Sequence, residues 1–313
     1  MPSDFDIAIA WDWEYDREFV SLLKNTANAR GLSTLDVSPL NVQEALSDIQ
    51  RGACSVTVFL DRASDTDQRF LPLAQAVRLT SARIVNLPEA VRHAADKATM
   101  HLEFLTHGIE VPYTLIISPY AERQNIELSL DDLARLGRPF IIKPANTTGG
   151  GTGVILGAET LRDVIESRQH HKNDKYLLQE KIEPIHLGEE VGWFRIFWSF
   201  GSITPCWWHP DSHIYRIVEH DSFGGHSLAP LVTITRSIQD VCQLDFFSTE
   251  IALTKQGKFV VVDYVNEICD MRLQSLHQDG VPDQVVMKIC DSFAEFVKSY
   301  GTQAVRGVDS NST

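Results

Sequence analysis

The sequence predicts an α/β protein in which an N-terminal doubly wound parallel half-domain is followed by two α+β subdomains. Over the first 90 residues, short apolar runs alternate with stretches that carry apolar residues at helical spacing, which is typical of a parallel sheet covered by helices. Beyond about residue 110 the apolar runs become paired, which indicates antiparallel strands. The length of 313 residues also favours more than one hydrophobic core.

The N-terminal unit is expected to span residues 1–88. Its predicted strands and helices alternate along the chain: strands at 5–10, 32–37, 54–60 and 83–87, and helices at 14–29, 41–51 and 67–80. A helix over 88–107 then opens the next unit, because Pro88 suits a first helical turn and Gly108 suits a helix end.

Residues 89–182 and 183–301 are expected to form the two α+β subdomains. The first has predicted strands at 113–118, 140–143, 153–156 and 176–180, with a helix at 160–168. The second has predicted strands at 191–200, 203–207, 246–253 and 259–264, with a closing helix at 282–300. The polar tail, 302–313, is expected to fray.

Composition and charge exclude several classes of protein. Hydrophobic residues make up 43% and charged residues 22%, which is typical of globular proteins. The 28 basic and 42 acidic residues give a net charge of −14, which disfavours nucleic acid and anionic membranes as partners. The five cysteines form no Cys-x-x-Cys pair, and Asp4 and Asp6 stand where an export signal would be positive. We therefore expect a cytoplasmic protein.

A lysine followed by a glycine-rich loop is the most informative motif. Lys143 ends an apolar run, and the glycines that follow it are Gly149, Gly150, Gly151 and Gly153. Glycines allow successive backbone N–H groups to turn towards one anion, so phosphate is the expected ligand. The lysine precedes the glycines, unlike in a Walker loop. The structural alternative is a mobile glycine-rich hairpin.

Two acids, Glu250 and Asp263, lie on neighbouring predicted strands. If Gln256 and Gly257 form a two-residue turn, Glu250 lies directly opposite Asp263 on one face of the sheet. A three-residue turn with a bulge would instead send the two acids to opposite faces. Paired carboxylates suit Mg²⁺, which binds a few protein oxygens together with substrate phosphates.

The order and spacing of these motifs resemble the ATP-grasp superfamily, which includes D-alanine–D-alanine ligase, glutathione synthetase and ribosomal-protein glutamate ligases. The resemblance covers about residues 92–273. Besides the two motifs above, four segments carry it. Residues 95–97 are similar to the family's first nucleotide lysine, and residues 108–114 to its Gly-Ile-x-Val-Pro-x-Thr run. Residues 177–182 are similar to its adenine-reading hinge, and residues 188–190 to the segment with its ribose-binding acid.

The resemblance implies an ATP-grasp fold with the nucleotide between its two α+β subdomains. It also implies ATP and one or two Mg²⁺ ions as cofactors, with Mn²⁺ as an alternative metal. The residues implied to bind the nucleotide are Lys97, Lys143, Gly149, Gly150, Gly151, Gly153, Glu180, Lys181, Ile182, Glu189 and Glu190.

Glu250, Asp263 and Asn266 look like the family's metal ligands. The run at 263–266 reads Asp-x-x-Asn, with a shorter acid and one more residue than the usual Glu-x-Asn. Asp245 and Glu267 are therefore alternative ligands.

Three arginines are candidates for contacts with the reacting groups. Some relatives carry an arginine for the γ-phosphate where this chain has Ser248, so Arg195 and then Arg216 are the candidates for that charge. The structural alternative for both is a strand arginine paired with an acid. Arg272 follows the metal motif, where relatives grip the acceptor, and is suited to bind a carboxylate. The aromatic and acidic run at 11–16 suggests a place for an amine, or simply a helix start.

The resemblance implies an ATP-dependent carboxylate–amine ligase. Such an enzyme forms an amide through an acylphosphate and releases ADP and phosphate, here on a small-molecule, amino-acid or peptide substrate. The alternatives are a small-molecule kinase and an ATP-binding regulator without catalysis. A polyphosphorylated acceptor is disfavoured, because no cluster of Lys and Arg lies outside the nucleotide motifs. A homodimer is expected by analogy with relatives.

Overall fold

The computed structural model describes residues 3–147, 151–188 and 190–309. Its N-terminal unit is a four-stranded parallel sheet in the order β2-β1-β3-β4. The strands are β1 (Ser3–Trp11), β2 (Thr34–Val37), β3 (Cys54–Arg62) and β4 (Arg83–Ile84). The helices are α1 (Arg17–Ala29), which follows a 3₁₀ turn at Glu14–Asp16, α2 (Val42–Gln50) and α3 (Leu71–Arg78).

Two helices, α4 (Pro88–Ala95) and α5 (Lys97–Thr106), follow this unit. The predicted single helix over 88–107 is wrong, because Asp96 leaves the helical conformation with φ −74° and ψ 96°. Its carboxylate accepts hydrogen bonds from the backbone N–H groups of Ala98, at 2.9 Å, and Thr99, at 3.2 Å. These bonds cap the second helix and place Lys97 at its first position.

The middle of the chain forms a four-stranded antiparallel sheet in the order β5-β8-β6-β7. Its strands are β5 (Thr114–Ile117), β6 (Phe140–Pro144), β7 (Ile155–Ala158) and β8 (Tyr176–Glu180). Helices α6 (Leu130–Leu136) and α7 (Leu161–Ser167) cover one face, where Phe140, Ile142 and Val164 are buried. We call this unit the lid sheet.

The last part of the chain forms a five-stranded antiparallel sheet in the order β13-β12-β11-β16-β17, which we call the C-terminal sheet. Its strands are β11 (Trp193–Ser199), β12 (Ser202–Trp208), β13 (Tyr215–Ile217), β16 (Phe246–Leu253) and β17 (Phe259–Asn266). Two small hairpins add β9 (His186–Leu187), β10 (Glu190–Val191), β14 (Ser222–Phe223) and β15 (His226–Ser227). The helices are α8 (Ala229–Cys242) and α9 (Asp283–Asp309).

Helix α9 continues to Asp309, beyond the end predicted at residue 300, and the predicted fraying of the tail stays a prediction. No proline interrupts this stretch, and the helix therefore continues beyond the apolar face that anchors it.

Helix α9 completes the parallel unit. Phe293 and Val297 of α9 pack with Phe19 and Leu23 of α1 on one face of the parallel sheet. Helices α2 and α3 cover the other face. The doubly wound architecture therefore takes one of its covering helices from the opposite end of the chain. Among the helices that the structure describes, none is long and apolar enough to cross a bilayer.

Candidate active site

A row of three charged side chains crosses the C-terminal sheet. Arg195 on β11 is the register partner of Glu250 on β16, and Glu250 is the register partner of Asp263 on β17. The Arg195 guanidinium donates to Glu250 Oε1, and Trp193 Nε1 donates to Glu250 Oε2 at 3.0 Å. Glu250 is only 6% exposed, so this charge-assisted contact is well shielded from water.

Glu250 pairs with Asp263 because two features of the β16–β17 hairpin offset each other: a turn longer than two residues and a β-bulge. The predicted two-residue turn is wrong, because Leu253 pairs with Phe259, and Thr254 N–H donates to the Lys258 carbonyl at 2.9 Å. This longer turn alone would place Glu250 opposite Val262. A register shift between Glu250 and Ile251 restores the pairing with Asp263, so one bulge returns both acids to the same face.

Two lysines approach Asp263 from outside the sheet. Lys97 Nζ, at the start of α5, lies 4.0 Å from Asp263 Oδ1. Lys143 on β6 is 8% exposed, and its Nζ donates to the Val262 carbonyl at 3.0 Å. Burial lowers the pKa of Lys143, and the charge of Lys97 adds to this effect.

Asp263 remains ionised despite its burial. Burial alone would raise the pKa of Asp263, but Lys97, Lys143 and Arg195, with a hydrogen bond from Asn266, hold it at about 2. Positive side chains therefore converge on this carboxylate from both the lid sheet and the C-terminal sheet.

Glu250, Asp263 and Asn266 form an incomplete set of oxygen donors. Asn266 Nδ2 donates to Asp263 Oδ2 at 3.0 Å, which turns the amide towards the acid. In the described ranges, no group of three or more acid, cysteine or histidine side chains could enclose a metal. Two acids and an amide fit Mg²⁺, which takes its remaining oxygens from phosphates and water.

The two alternative metal ligands differ in position. Both carboxylate oxygens of Asp245 accept hydrogen bonds at 2.8 Å from Arg83, and its backbone N–H donates to Asn86. Asp245 therefore joins the C-terminal sheet to the parallel unit. Glu267 lies close to Asp263 and Lys97, and burial raises the pKa of its carboxyl group.

A cavity of about 330 Å³ lies between the end of the lid sheet and the β16–β17 turn. Lys181, Ile182 and Val260 line it, together with residues of the turn. The carboxylate of Glu180, also at the lining, accepts the backbone N–H of Tyr113 at 2.7 Å. The predicted hinge thus borders a partly open cavity, and Arg195, Glu250 and Asp263 do not line it.

The other two candidate arginines are already paired with acids. Arg216 Nη1 donates to Glu190 Oε1 at 2.8 Å, and the Arg216 side chain is 55% exposed. Arg272 binds Asp270 at 2.7 Å and Asp279 at 2.9 Å. The structure therefore brings Arg195, but not Arg216, into the row with Glu250 and Asp263.

The glycine loop is described at its two ends. Gly151 and Gly153 have φ values of +79° and +75°, a region that favours glycine, and a Cβ at Gly153 would lie 3.1 Å from Pro144 Cγ. The predicted ligands Gly149, Gly150 and Glu189 lie outside the described residues.

Neither a protein-family model nor a curated protein matches the sequence. Solved structures do match it. The RimK domain protein ATP-grasp from Sphaerobacter thermophilus aligns with a TM-score of 0.62 and 22% identity, over 93% of this chain and 98% of that one. The chain has the ATP-grasp fold. D-alanine–D-alanine ligase from Bacillus anthracis, complexed with ATP, aligns with a TM-score of 0.61 and 12% identity, over 95% of this chain and 99% of that one.

A third ATP-grasp structure is the ligase PsnB complexed with the precursor peptide PsnA2 and AMPPNP. It aligns with a TM-score of 0.62 and 16% identity, over 96% of this chain and 98% of that one. All three chains are matched almost end to end, so the shared ATP-grasp architecture includes the N-terminal parallel unit.

One junction of this ATP-grasp fold, in which Tyr264 joins β17 to β8 and α5, was not predicted from the sequence. Tyr264 on β17 accepts a hydrogen bond from Gln179 Nε2 on β8 at 3.0 Å, and its hydroxyl lies 2.7 Å from His101 Nδ1 on α5. The Tyr264 hydroxyl has one proton and two lone pairs, so it can bond to both partners at once. Burial, together with the charge of Lys143, lowers the pKa of His101 to about 4. The extra residue of the Asp-x-x-Asn run was the available signal that this strand end is unusual.

Proposed function

We propose that this chain is an ATP-dependent carboxylate–amine ligase. The observation that carries the proposal is the convergence of Lys97, Lys143 and Arg195 on the acids Glu250 and Asp263. A triphosphate needs positive charge along its length and a place for a divalent ion, and this arrangement supplies both.

The nucleotide is proposed to lie with its base in the hinge cavity. Ile182 and Val260 offer apolar contact to the base, and the backbone at Lys181 offers hydrogen-bonding groups. The phosphates then extend towards Lys143 and Lys97. Gly151 and Gly153, with Gly149 and Gly150, are proposed to close over the phosphates from the lid side.

Glu250, Asp263 and Asn266 are proposed to hold Mg²⁺. When bound, the ion neutralises β- and γ-phosphate charge. Arg195 contributes a fixed positive charge next to these acids. Burial opposes that charge, but Glu250 outweighs the effect and raises the pKa of Arg195, so the guanidinium stays protonated.

In the proposed reaction a substrate carboxylate oxygen attacks the γ-phosphorus, and the bond to the β-phosphate oxygen breaks, which releases ADP. An amine then attacks the carbonyl carbon of the acylphosphate, loses a proton and expels phosphate, which leaves an amide. Structurally similar proteins support this class: one is a D-alanine–D-alanine ligase and another an ATP-grasp ligase bound to a peptide. Arg272, with the aromatic run at 11–16, is proposed to border the acceptor, because its guanidinium lies 6.0 Å from the Trp13 ring.

The location and assembly of the enzyme are further proposals. All five cysteines are buried free thiols, which suits the reducing cytoplasm. A homodimer remains a prediction, and light scattering would measure it.

A phosphate-release screen tests the function. Amino acids, peptides and small amines are supplied in pairs with ATP and Mg²⁺, and the Lys143→Ala variant serves as the control. A ligase releases phosphate only when both an acid and an amine are present. A phosphorylated product formed from a single acceptor would indicate a kinase, and ATP binding without turnover on any pair would indicate a regulator.

A further inference from the structure

One acid from a distant part of the chain binds the start of the glycine loop. Asp174 lies in the connection between α7 and β8 and is 8% exposed. Its Oδ2 accepts hydrogen bonds at 2.9 Å from the backbone N–H of Asn146 and from Thr147 Oγ1. Its Oδ1 accepts a third, at 3.0 Å, from Asn146 Nδ2. Three bonds to two successive residues fix the direction in which the backbone leaves β6.

The same connection binds the loop at two further points. The Lys175 carbonyl accepts the backbone N–H of Ala145 at 2.9 Å, and the Ala145 carbonyl accepts the backbone N–H of Lys97 at 3.1 Å. At the other end of the loop, the ring of His171 lies 3.6 Å from where a Gly153 Cβ would be. Residues 174 and 175 therefore bind the start of the loop, the ring of His171 lies beside Gly153, and Ala145 joins this connection to the helix that carries Lys97.

The position of these bonds decides what they can do. Asn146 and Thr147 lie between Lys143 and the glycines, so their backbone sets how the lysine and the loop are placed relative to each other. A negative side chain near a phosphate site would repel the ligand if it were free. Here both oxygens of the Asp174 carboxylate accept hydrogen bonds from Asn146 and Thr147, which reduces the repulsion between this carboxylate and an anionic ligand.

We propose that Asp174 is a positioning residue for the triphosphate. It acts through residues 145–147, whose backbone it holds in register with Lys97 and Lys143, and it does not itself contact the nucleotide. This inference rests on the proposed nucleotide function. It concerns phosphate affinity, because the hinge cavity for the base contains none of these contacts.

The test compares ATP and adenosine binding by isothermal titration calorimetry in Asp174→Asn and Asp174→Ala. Both variants should bind ATP at least about tenfold more weakly, since a charged acceptor of several hydrogen bonds is lost, while adenosine affinity stays unchanged. Thr147→Ala removes one of the three bonds and should give a smaller loss of the same kind.

Asp163→Ala is the matched control. Asp163 lies in the same unit and also accepts three bonds from two successive residues, at 3.0 Å from Glu159 N–H, 2.8 Å from Thr160 N–H and 2.9 Å from Thr160 Oγ1, but it does not bind the loop. Its ATP affinity should match that of the wild type.

The outcomes separate the two proposals. A wild-type protein that does not bind ATP contradicts the proposed function and the role of Asp174 with it. A wild type that binds ATP, with Asp174→Asn and Thr147→Ala binding it equally well, overturns the role of Asp174 alone. Equal losses of ATP and adenosine affinity would also overturn it, because they would show a general folding effect.

Discussion

Arg195 and Glu250 face each other across β11 and β16, and their side chains form a shielded ion pair at the centre of the charged row. The Arg195 side chain is 14% exposed and Glu250 8%. The pair places a permanent positive charge beside the acids that are proposed to hold the metal. It also fixes the orientation of Glu250, whose second oxygen accepts from Trp193.

Replacement of Arg195 should therefore impair turnover. Arg195→Ala should lower the rate of phosphate release by about 100-fold or more, as expected when a positioned charge next to the reacting phosphate is lost. Arg216→Ala is the matched control, because Arg216 is exposed and its pair with Glu190 contributes little. Steady-state phosphate release measures both, and equal losses in the two variants would contradict the assignment of Arg195.

The proposed metal site gives a second prediction. Asp263→Asn should raise the Mg²⁺ concentration needed for half-maximal activity by about tenfold or more, because an ionised oxygen donor is lost. Asp245→Asn changes an acid that Arg83 binds at the start of β16, and it should leave the Mg²⁺ requirement as in the wild type. A Mg²⁺ titration of the rate decides between them. An unchanged requirement in Asp263→Asn would remove Asp263 from the proposed ligands.

Acid should destabilise the junction at His101. The pKa of His101 is about 4 in the folded protein, below its ordinary value of 6.5, so the unfolded chain binds the additional proton first. Neutral His101 therefore contributes fully to the free energy of unfolding above pH 6.5, and this contribution declines as the pH falls towards 4. His101→Gln should make the free energy of unfolding fall less steeply with pH in this window, so that up to about 3 kcal/mol of the acid-induced loss disappears.

Denaturant unfolding at a series of pH values measures this slope. His107→Gln, at the exposed end of α5, is the control and should keep the wild-type slope. A slope in His101→Gln that is as steep as in the wild type would show that His101 does not govern the acid response.

A buried ion pair lies in the parallel unit, and its arginine also binds the segment that follows β17. Arg62 and Asp16 are each 1% exposed in their side chains, and Arg62 also donates to the Cys269 carbonyl at 2.9 Å. Arg62→Met should lower the free energy of unfolding by about 3–5 kcal/mol, because it leaves a buried carboxylate without its partner.

The double variant Asp16→Leu with Arg62→Met should recover much of this loss, since no charge then stays buried. Arg51→Met is the control, and its exposed pair with Asp48 should contribute less than about 1 kcal/mol. Urea unfolding measures all three. A loss in Arg62→Met no larger than in Arg51→Met would contradict a structural role for the buried pair.

The sequence was sufficient for the fold class and for much of the charged row. Local patterns predicted strands β8 and β16 at the residues where they occur, because apolar runs of this length between turn signals leave little choice. The break at Asp96 was missed because residues 88–107 carry helical spacing throughout, while the cap depends on local backbone geometry. The pairing of Glu250 with Asp263 was predicted from a two-residue turn, which the structure does not have. A β-bulge gives the same pairing, and no residue pattern in the sequence indicates that bulge.

Contacts between distant segments could not be predicted. Arg216 was a candidate on the basis of its position along the chain, yet Glu190, 26 residues away, binds it in the folded protein. Asp174 gave no signal in the sequence, because its partners lie 27 and 28 residues away, across the lid sheet. Such pairs are set by the way the sheets pack, which one sequence does not specify.

The central claim is that a nucleoside triphosphate binds between the lid sheet and the acids of the C-terminal sheet. Equilibrium binding of ATP in the presence of Mg²⁺, measured for the wild type, Lys143→Ala and Lys175→Ala, tests it most directly. Lys175 is the matched control, because it lies just before β8, its side chain is 49% exposed, and its contact with Ala145 is made by the backbone carbonyl, which the variant keeps. The wild type and Lys175→Ala should bind ATP alike, and Lys143→Ala should lose binding. ATP binding by Lys143→Ala with wild-type affinity would contradict the account.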